Sequence, residues 1–374
     1  MAGIYVHIPF CASRCIYCAF YSTTQSDKRQ RYVDALCREA KMRKGKSEAE
    51  DNDLISTVYL GGGTPSQLSV VQLRQVLSAI YNIYKVEDDA EVTIECNPDD
   101  ITTELAEALP AMGVNRVSMG AQTFDDARLR FLRRRHSGAQ VSEAIDRLRQ
   151  AGIANISVDL MYGFPGETLS DWQGDIDAAL ALQVEHLSAY CLTIEEGTPL
   201  YRLIMENSHF TMDEELERQM YYTLIDRLQA AGYEHYEISN FARPGRRSRH
   251  NSSYWTNVPY IGLGAAAHSY DGRTRRWNMA SLDDYILGIE NGKSVFESEL
   301  LTPRDRYNDR VMLSLRTYEG LNLEHLTASE RSYLLPLAQK YIAQGLLIMA
   351  DAHIRLSRKG LFVSDMVVSD LMWV

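Results

Sequence analysis

The sequence predicts an α/β protein built on a parallel sheet of six βα units, followed by a small α+β domain. Two observations predict the sheet: short β-rich runs alternate with amphipathic segments, and glycine-rich or polar residues follow nearly every β-rich run. Amphipathic helices followed by a short hairpin after residue 300 predict the small domain. The pattern alone leaves open whether the sheet closes into a partial barrel or stays an open doubly wound sheet.

Each predicted strand is a run rich in β-branched or aromatic residues. The six strands are residues 4–7, 55–60, 91–95, 116–119, 156–160 and 186–191. Apolar residues at helical spacing predict the helices that connect and follow them. These helices are residues 28–41, 70–81, 103–112, 140–151, 169–182 and 213–231.

The chain is expected to divide into three regions. Residues 1–232 would hold the βα units, residues 233–299 would form a connecting region, and residues 300–374 would form the small domain. In the last region, helices with apolar residues at helical spacing precede a hairpin whose turn is Asp351-Ala352-His353. Helices followed by such a hairpin resemble a winged-helix arrangement.

The composition is typical of a globular protein in a reducing compartment. Of 374 residues, 45% are hydrophobic, which is enough for a sizeable core. The N-terminus lacks the regions of a signal peptide and no segment approaches the length of an apolar membrane span, so we expect a cytoplasmic protein. The net charge of −11 disfavours binding to nucleic acid, and no nucleic-acid partner is expected.

Three of the six cysteines stand in one short segment directly after the first predicted strand. Cys11, Cys15 and Cys18 form a Cys-x3-Cys-x2-Cys array. Three soft ligands so close together suit an iron–sulfur cluster, and because a four-iron cluster usually takes four cysteines, three would leave one iron open to a small molecule. Two alternatives stay open: a zinc site with His7 as the fourth ligand, or cysteines that serve as buried apolar residues.

Residues suited to ligand binding follow several predicted strands. Gly61-Gly62-Gly63-Thr64 follows the second strand, and its missing side chains would let the backbone approach a ligand closely and offer amide donors. Glu95, Gln122 and Asp159 lie at the ends of the third, fourth and fifth strands. Carboxylates and amides at this edge of a parallel sheet can hydrogen-bond a ligand, and the alternative is that they cap helices or face solvent.

A second group of candidate residues follows the βα units. A loop rich in proline, glycine and arginine leads to His250-Asn251-Ser252-Ser253-Tyr254-Trp255. A neutral imidazole can ligate a heme iron, the two aromatic side chains could cover a flat macrocycle, and the arginines could pair with its propionates. The alternative is that His250 is a hydrogen-bonded core histidine and that the aromatic residues only pack.

The cysteine array, with the aromatic Tyr17 before its last cysteine and a strand ahead of it, resembles the signature of the radical S-adenosylmethionine superfamily. The resemblance implies a partial (β/α)6 barrel, a [4Fe-4S] cluster on Cys11, Cys15 and Cys18, and S-adenosylmethionine at the open iron. The preceding segment, residues 5–10, narrows the resemblance to the branch that contains the oxygen-independent coproporphyrinogen III oxidases and related heme chaperones. In this branch the C-terminal domain is winged-helix-like.

The same resemblance implies a set of residues that bind S-adenosylmethionine. The glycine triplet would hold the amino group, and Arg134 would face the carboxylate as a bidentate partner. Arg133 stands where the family often has glycine, so Arg133, Arg134 and Arg135 stay alternatives for that role. The implied cofactor-binding residues are Tyr5, Tyr17, Phe20, Gly62, Gly63, Thr64, Glu95, Gln122, Arg134 and Asp159.

Within that branch, the motif His-Asn-x-x-Tyr-Trp distinguishes the heme chaperones from the oxidases. It stands intact here and implies heme binding through His250, Asn251, Tyr254 and Trp255. Phe20 occupies the position of a further cysteine in the oxidases. The chain also begins almost at its first strand, without the N-terminal extension that the oxidases carry.

The resemblance therefore implies a heme chaperone that holds a [4Fe-4S] cluster, S-adenosylmethionine and heme and delivers heme to acceptor proteins. Membrane-associated respiratory proteins are among the candidate acceptors, and a homodimer is one of the oligomeric states left open. One alternative is an oxidase in which a 5′-deoxyadenosyl radical abstracts hydrogen from a coproporphyrinogen propionate. The other is a radical enzyme with an unrelated substrate.

Overall fold

The structure, a computed structural model, describes residues 2–44, 54–206 and 213–374. Its strands are β1 Ala2–Ile8, β2 Ile55–Gly62, β3 Val86–Cys96, β4 Arg116–Gln122, β5 Ile156–Tyr162, β6 His186–Cys191, β7 Glu234–Glu237, β8 Asn240–Ala242, β9 Tyr260–Leu263, β10 His268–Tyr270, β11 Thr274–Asn278, β12 Phe296–Leu300, β13 Leu321–Asn322, β14 Leu347–Ala350 and β15 His353–Leu356. Its helices are α1 Arg29–Arg43, α2 Val70–Ile83, α3 Thr103–Ala111, α4 Asp126–Phe131, α5 Gly138–Gln150, α6 Leu169–Ala181, α7 Pro199–Glu206, α8 Glu214–Ala230, α9 Arg249–Trp255, α10 Leu282–Glu290, α11 Pro303–Ser314, α12 Ala328–Ala343, α13 Arg358–Phe362 and α14 Ser364–Leu371.

The six predicted strands form the centre of the molecule. Strands β1 to β6 are neighbours in chain order, and each pairs in parallel with the next. Residues at the carboxyl ends of these strands line a common cavity, so the sheet curves around it as a partial barrel. The predicted fold class is confirmed, and the six predicted helices correspond to α1, α2, α3, α5, α6 and α8.

Alternation along the strands separates a core face from an inner face. In β1, Ile4, Val6 and Ile8 are fully buried in the hydrophobic core, together with apolar side chains of the surrounding helices. The residues between them, Tyr5 and His7, lie on the opposite face and contact other polar and aromatic side chains. The inner face of the barrel is therefore unusually polar.

Short strands from residues 234–300 extend this sheet at both edges. Strand β8 pairs with β6 and β7 with β8, whereas β9 pairs in parallel with β1 and is followed outward by β10, β11 and β12. Within the described residues the sheet thus has twelve strands. The division of the chain at residues 232 and 299 stays a prediction.

The C-terminal residues form a second hydrophobic core around α11, α12 and α14. Strands β13, β15 and β14 make a small antiparallel sheet beside it. The predicted hairpin joins β14 to β15 through Asp351 and Ala352, whose φ values of 49° and 60° fit a two-residue turn of the I′ type. None of the described helices is both long and apolar enough to cross a lipid bilayer.

Candidate cluster and cofactor site

A cavity of about 570 Å³ opens at the carboxyl ends of the parallel strands. The cysteine loop after β1 forms one wall, and residues that follow β2 to β6 form the others. The predicted residues that line it are Cys11, Cys15, Tyr17, Cys18, Phe20, Gly62, Gly63, Thr64, Glu95, Gln122, Arg134 and Asp159. The structure thus brings together all the predicted cluster and cofactor residues except Tyr5, which lies in a neighbouring cavity.

The cysteine loop is anchored to the barrel by Ile16. This side chain is buried in a small apolar cluster with Leu132, Phe164 and Leu200. The Ile16 N–H donates to the Leu132 carbonyl, and the Ile16 carbonyl accepts from the N–H of Leu200 at 2.9 Å. Because the loop is fastened through its backbone and this one apolar residue, the neighbouring cysteines are left half-buried at the cavity wall.

The cysteine thiols are free and two of them accept hydrogen bonds. The Thr64 hydroxyl donates to Cys11 Sγ at 3.4 Å, and the Arg134 guanidinium donates to Cys15 Sγ at 3.5 Å. Burial raises the pKa of the Cys11 and Cys18 thiols, so both are protonated near neutral pH without metal. Since metals bind thiolates, occupation of this site would release protons. The donor set fits an iron–sulfur cluster that lacks one cysteine ligand.

The zinc alternative loses its proposed fourth ligand. His7 Nε2 lies 3.1 Å from the Tyr21 carbonyl and Nδ1 lies 3.1 Å from the Tyr5 hydroxyl. Burial lowers the pKa of His7 to about 4, so the ring is neutral, and it must donate to the carbonyl and accept from Tyr5. Among the described residues, no three His, Cys, Asp or Glu side chains converge as ligands of a single ion.

The glycine loop is held against the end of β1. A Cβ on Gly63 would lie 2.7 Å from the Pro9 backbone, and one on Gly62, whose φ is +112°, would lie 2.6 Å from the His7 ring. The Gly63 N–H donates to the Ile8 carbonyl and the Gly62 N–H donates to Glu95. These glycines are therefore required for close packing of the loop, and both amide donors predicted for a ligand are already used by the protein.

Arg134 is the arginine that faces the cysteine loop. Besides Cys15, its guanidinium donates to Asn97 at 2.9 Å and to the Gly120 carbonyl, while its buried Nε has no hydrogen-bond partner within the described residues. Arg135 is exposed and pairs with the carboxylates of Asp99 and Asp100. This geometry favours Arg134 for recognition of a ligand carboxylate.

Arg133 occupies a position that suits glycine. It is exposed, and its φ of 61° lies in the left-handed region, which a residue without Cβ adopts most easily. The backbone tolerates this strain at Arg133. The exposed position of this side chain does not favour Arg133 as the arginine that binds the ligand.

Two half-buried carboxylates, on β3 and β5, line the cavity. Glu95 accepts from the Tyr59 hydroxyl at 2.7 Å, and burial raises its pKa to about 7. Burial also raises the pKa of Asp159, which accepts weakly from Ser118 at 3.4 Å. Gln122, with a φ of 69°, ends β4 next to them. Each carboxylate oxygen has two lone pairs, so both groups can accept from ribose hydroxyls in addition to their protein donors.

Sequence reasoning missed two residues of this region. Asn97 follows β3 directly, and its side-chain oxygen accepts a hydrogen bond from Arg134. A polar residue two positions after Glu95, at the end of a predicted strand, is the sequence feature that could have identified it. Arg116 begins β4 and is fully buried, with Nε and Nη1 lacking partners within the described residues. No sequence pattern marks it, because a charged residue at the start of a strand usually faces solvent.

The predicted heme ligand His250 is fully buried on the inner face of the barrel. Its Nδ1 lies 2.8 Å from the Thr57 hydroxyl, and its Nε2 lies 2.8 Å from the Tyr254 hydroxyl. The ring stacks on Tyr59 at 5.0 Å between ring centres. Burial lowers the pKa of His250 to about 3, so the ring is neutral. Ligation of iron by His250 stays a prediction, and it would require one of these two bonds to break.

The other motif residues lie around His250 on α9. Tyr254, one helical turn later, contacts Tyr260 edge to face at 4.7 Å. Asn251 donates its N–H to the Ser248 cap, and Trp255 packs under the Arg316 guanidinium at 5.2 Å. Trp255 faces a separate cavity of about 640 Å³ near the C-terminal helices. The four motif residues therefore do not converge on one site.

Comparison with known proteins matches two family models to separate parts of the chain. The Radical SAM superfamily pattern matches residues 5–179, and the HemN C-terminal domain pattern matches residues 301–363. In structure, the chain resembles the coproporphyrinogen III oxidase HemN from Escherichia coli with a TM-score of 0.86 and 23% identity, over 99% of this chain and 90% of that one. This likeness concerns the fold.

Curated relatives are similar along nearly their full length. The heme chaperone HemW of Bacillus subtilis is 36% identical over 374 residues, 98% of each chain. HemW of Mycobacterium tuberculosis strain H37Rv is 34% identical over 99% of this chain and 94% of its own. The mitochondrial radical S-adenosyl methionine domain-containing protein 1 of Mus musculus is 31% identical over 99% of this chain and 87% of its own. The chain therefore belongs to the HemW family of the radical S-adenosylmethionine superfamily.

Proposed function

We propose that this protein is a heme chaperone: it binds heme, carries a [4Fe-4S] cluster with S-adenosylmethionine, and delivers heme to acceptor proteins. The observation that carries the proposal is the cavity in which three free thiols, Arg134 and two half-buried carboxylates meet. The full-length similarity to proteins named heme chaperones supports the heme-related part of the proposal.

Cys11, Cys15 and Cys18 would hold the cluster, which when bound presents an open iron to the amino and carboxylate groups of S-adenosylmethionine. Arg134 lies next to Cys15 and would pair with that carboxylate, since a guanidinium binds carboxylates bidentately. The other proposed contacts come from the cavity wall and from Tyr5 beside it. They are Tyr5, Tyr17, Phe20, Gly62, Gly63, Thr64, Glu95, Gln122 and Asp159.

Thr64, Glu95 and Asp159 have separate roles in this proposal. The Thr64 hydroxyl oxygen can accept from the ammonium group of the ligand while its proton bonds Cys11. Glu95 and Asp159 would accept from the ribose hydroxyls. Glycines 62 and 63 keep the loop close to β1, so their contribution is to shape the cavity.

We further propose that the protein acts in the cytoplasm and that its acceptors include membrane-associated respiratory proteins. A homodimer is the oligomeric state that we would test first. The motif segment at residues 250–255 would lie at or near the heme, because Tyr254 lines the cavity that adjoins the cluster site.

The experiment is a heme transfer assay on anaerobically purified, cluster-loaded protein. Heme-loaded protein is mixed with the apo form of a b-type cytochrome, and heme-loaded albumin serves as a passive donor. We expect faster transfer than from albumin. In a parallel assay with S-adenosylmethionine and a reductant, we expect no conversion of coproporphyrinogen III, and conversion would support the oxidase reaction instead.

A further inference from the structure

A second cavity of about 380 Å³ adjoins the cluster cavity. The two share Phe20, Gly62 and Glu95 as lining residues. Most other side chains of the second cavity are aromatic. They are Tyr5, His7, Tyr21, Tyr254, Tyr260 and His268, with Ala266 beside them. An aromatic cavity that opens directly onto the cluster site is suited to a flat apolar ligand.

The sheet extension beyond β1 builds this cavity. Tyr5 in β1 lies opposite Gly262 in β9, and His268 in β10 lies opposite Trp277 in β11. A Cβ on Gly262 would lie 1.8 Å from the His268 carbonyl, so the strand between Tyr5 and His268 carries no side chain there. The His268 backbone occupies the space that a side chain would take, so the glycine lets β10 pack closely against β9, and Tyr5, Tyr260 and His268 come to line one cavity.

The imidazole of His268 lines this cavity. It is exposed, and among the described residues no hydrogen bond holds either of its ring nitrogens. Its ring contacts Trp277 at 6.3 Å between centres. Partial burial and the charge of Arg275 lower the pKa of His268, which keeps the ring neutral as an iron ligand requires. His250, in contrast, has both nitrogens engaged.

We infer that His268 is the protein ligand of heme iron and that heme lies in this aromatic cavity next to the cluster site. The inference rests on the proposed heme-binding function and names its site. His250 is then a positioning residue: its bond to Tyr254 fixes the phenol against Tyr260, and both of these rings line the cavity. His250 and Tyr254 of the family motif and the sheet extension thus serve one site.

A competing site is the cavity of about 640 Å³ near the C-terminal helices. It contains Trp255 together with His325 and His353. It shares no lining residue with the cluster cavity and includes neither His250 nor Tyr254. The His353 Nδ1 is bonded to the Asp351 carbonyl at 2.8 Å, whereas within the described part of the chain no hydrogen bond engages the His268 ring nitrogens. His353 and His325 therefore provide matched control variants.

The test is an anaerobic titration of heme into cluster-loaded protein, read as visible difference spectra against the same protein without heme. We expect His268→Ala to weaken heme binding by at least about tenfold and to lose the histidine-ligated spectrum. Added imidazole should restore that spectrum, and His268→Cys should give a thiolate-ligated one. His325→Ala and His353→Ala should bind like wild type.

Because His268 is exposed, circular dichroism and cluster absorption should be unchanged in its variants, which separates lost ligation from lost folding. The inference alone is overturned if wild type binds heme and His268→Ala gives the same affinity and spectrum, or if His325→Ala or His353→Ala loses the histidine-ligated spectrum. If wild type binds no heme, the proposed function and this inference both fail.

Discussion

Two groups of polar residues lie along the inner face of the same sheet, and they differ in how completely their polar atoms are satisfied. In the cluster cavity, the thiols are half-buried, and Arg134 Nε and Asp99 Oδ1 are buried without hydrogen-bond partners in the described part of the chain. Around His250, both ring nitrogens are bonded and the ring stacks on Tyr59.

This difference distinguishes the cysteine motif, which lies at a cavity wall, from the motif that contains His250. Buried polar atoms are normally paired, so unpaired ones at a cavity wall indicate a place that a ligand completes. The His250 ring is already fully bonded and, with Thr57 and Tyr254, resembles a polar network that holds a core in one arrangement. A motif that identifies a family can therefore mark residues that position a binding site rather than the residue that ligates the metal.

The largest effect is expected from removing the proposed cluster ligands. The triple variant Cys11→Ser, Cys15→Ser, Cys18→Ser should lose all cluster absorption, because hard hydroxyl ligands do not replace thiolates on iron–sulfur clusters. Iron and sulfide analysis of anaerobically purified protein measures this. Cys37→Ser, outside the cavity, is the control and should keep its cluster. Zinc in place of iron in the wild type would contradict the cluster prediction.

A smaller loss, of affinity for S-adenosylmethionine, is expected when the guanidinium group of Arg134 is replaced by the ammonium group of lysine. Arg134→Lys should weaken S-adenosylmethionine binding by about 1.5–3 kcal/mol, since a charged hydrogen bond is lost in a buried setting. Calorimetry on cluster-loaded protein measures the affinity. Arg135→Lys, whose exposed side chain pairs with Asp99 and Asp100, should change it by about 0.5 kcal/mol or less. An equal loss in both variants would argue against the distinct role of Arg134.

The His250 region should make stability depend on pH. The folded pKa of about 3 lies below the unfolded value, so the unfolded chain takes up a proton that the folded chain excludes. The contribution of His250 to the free energy of unfolding is complete above about pH 6.5. It falls as the pH drops towards 3, and at pH 5 it is about 2 kcal/mol lower. Arg116 nearby acts in the same direction, because it also disfavours the protonated ring.

The variant His250→Gln isolates this contribution from those of the other buried histidines. Urea unfolding of cluster-free protein at pH 7.5 and at pH 5 should show a drop in unfolding free energy that is about 2 kcal/mol larger for wild type than for the variant. Equal drops would mean that His250 is open to solvent, and the contrast between the two regions would disappear.

Removing one partner of His250 should have the smallest effect. Tyr254→Phe leaves His250 Nε2 buried without its bond and should lower the unfolding free energy by about 1–2 kcal/mol. Tyr318→Phe, an exposed tyrosine, is the matched control and should change it by less than about 0.5 kcal/mol. Identical results for the two variants would show that the His250 network does not support the fold.

The sequence predicted the parts of the fold that local pattern determines. The six parallel strands are recognisable because they are runs of β-branched and aromatic residues, and the cysteine loop because its ligands are close together in the chain. Strands β9 to β12 have three to five residues each; β9 pairs with β1, and β10, β11 and β12 follow it outward, an arrangement that no local pattern reveals. The cavity around His268 depends on that pairing, so it could not be predicted.

The environment of His250 was beyond sequence reasoning for the same physical reason. Its partner Tyr254 is one helical turn away, but Thr57 is 193 residues distant and reaches it only because the barrel brings β2 against α9. The conformation of Arg133 could likewise not be predicted from the sequence, because its positive φ follows from the way the chain leaves the end of α4.

The most direct test of this account is the ferrous heme spectrum of cluster-loaded His250→Gln beside wild type. Glutamine places an amide near the position of Nε2 and can keep the hydrogen bond to Tyr254, but it cannot replace an imidazole on iron. The account predicts that the variant keeps the histidine-ligated spectrum, with heme affinity lowered by no more than about tenfold. Loss of that spectrum, with the cluster and the circular dichroism unchanged, would show that His250 itself ligates the iron and would contradict the account.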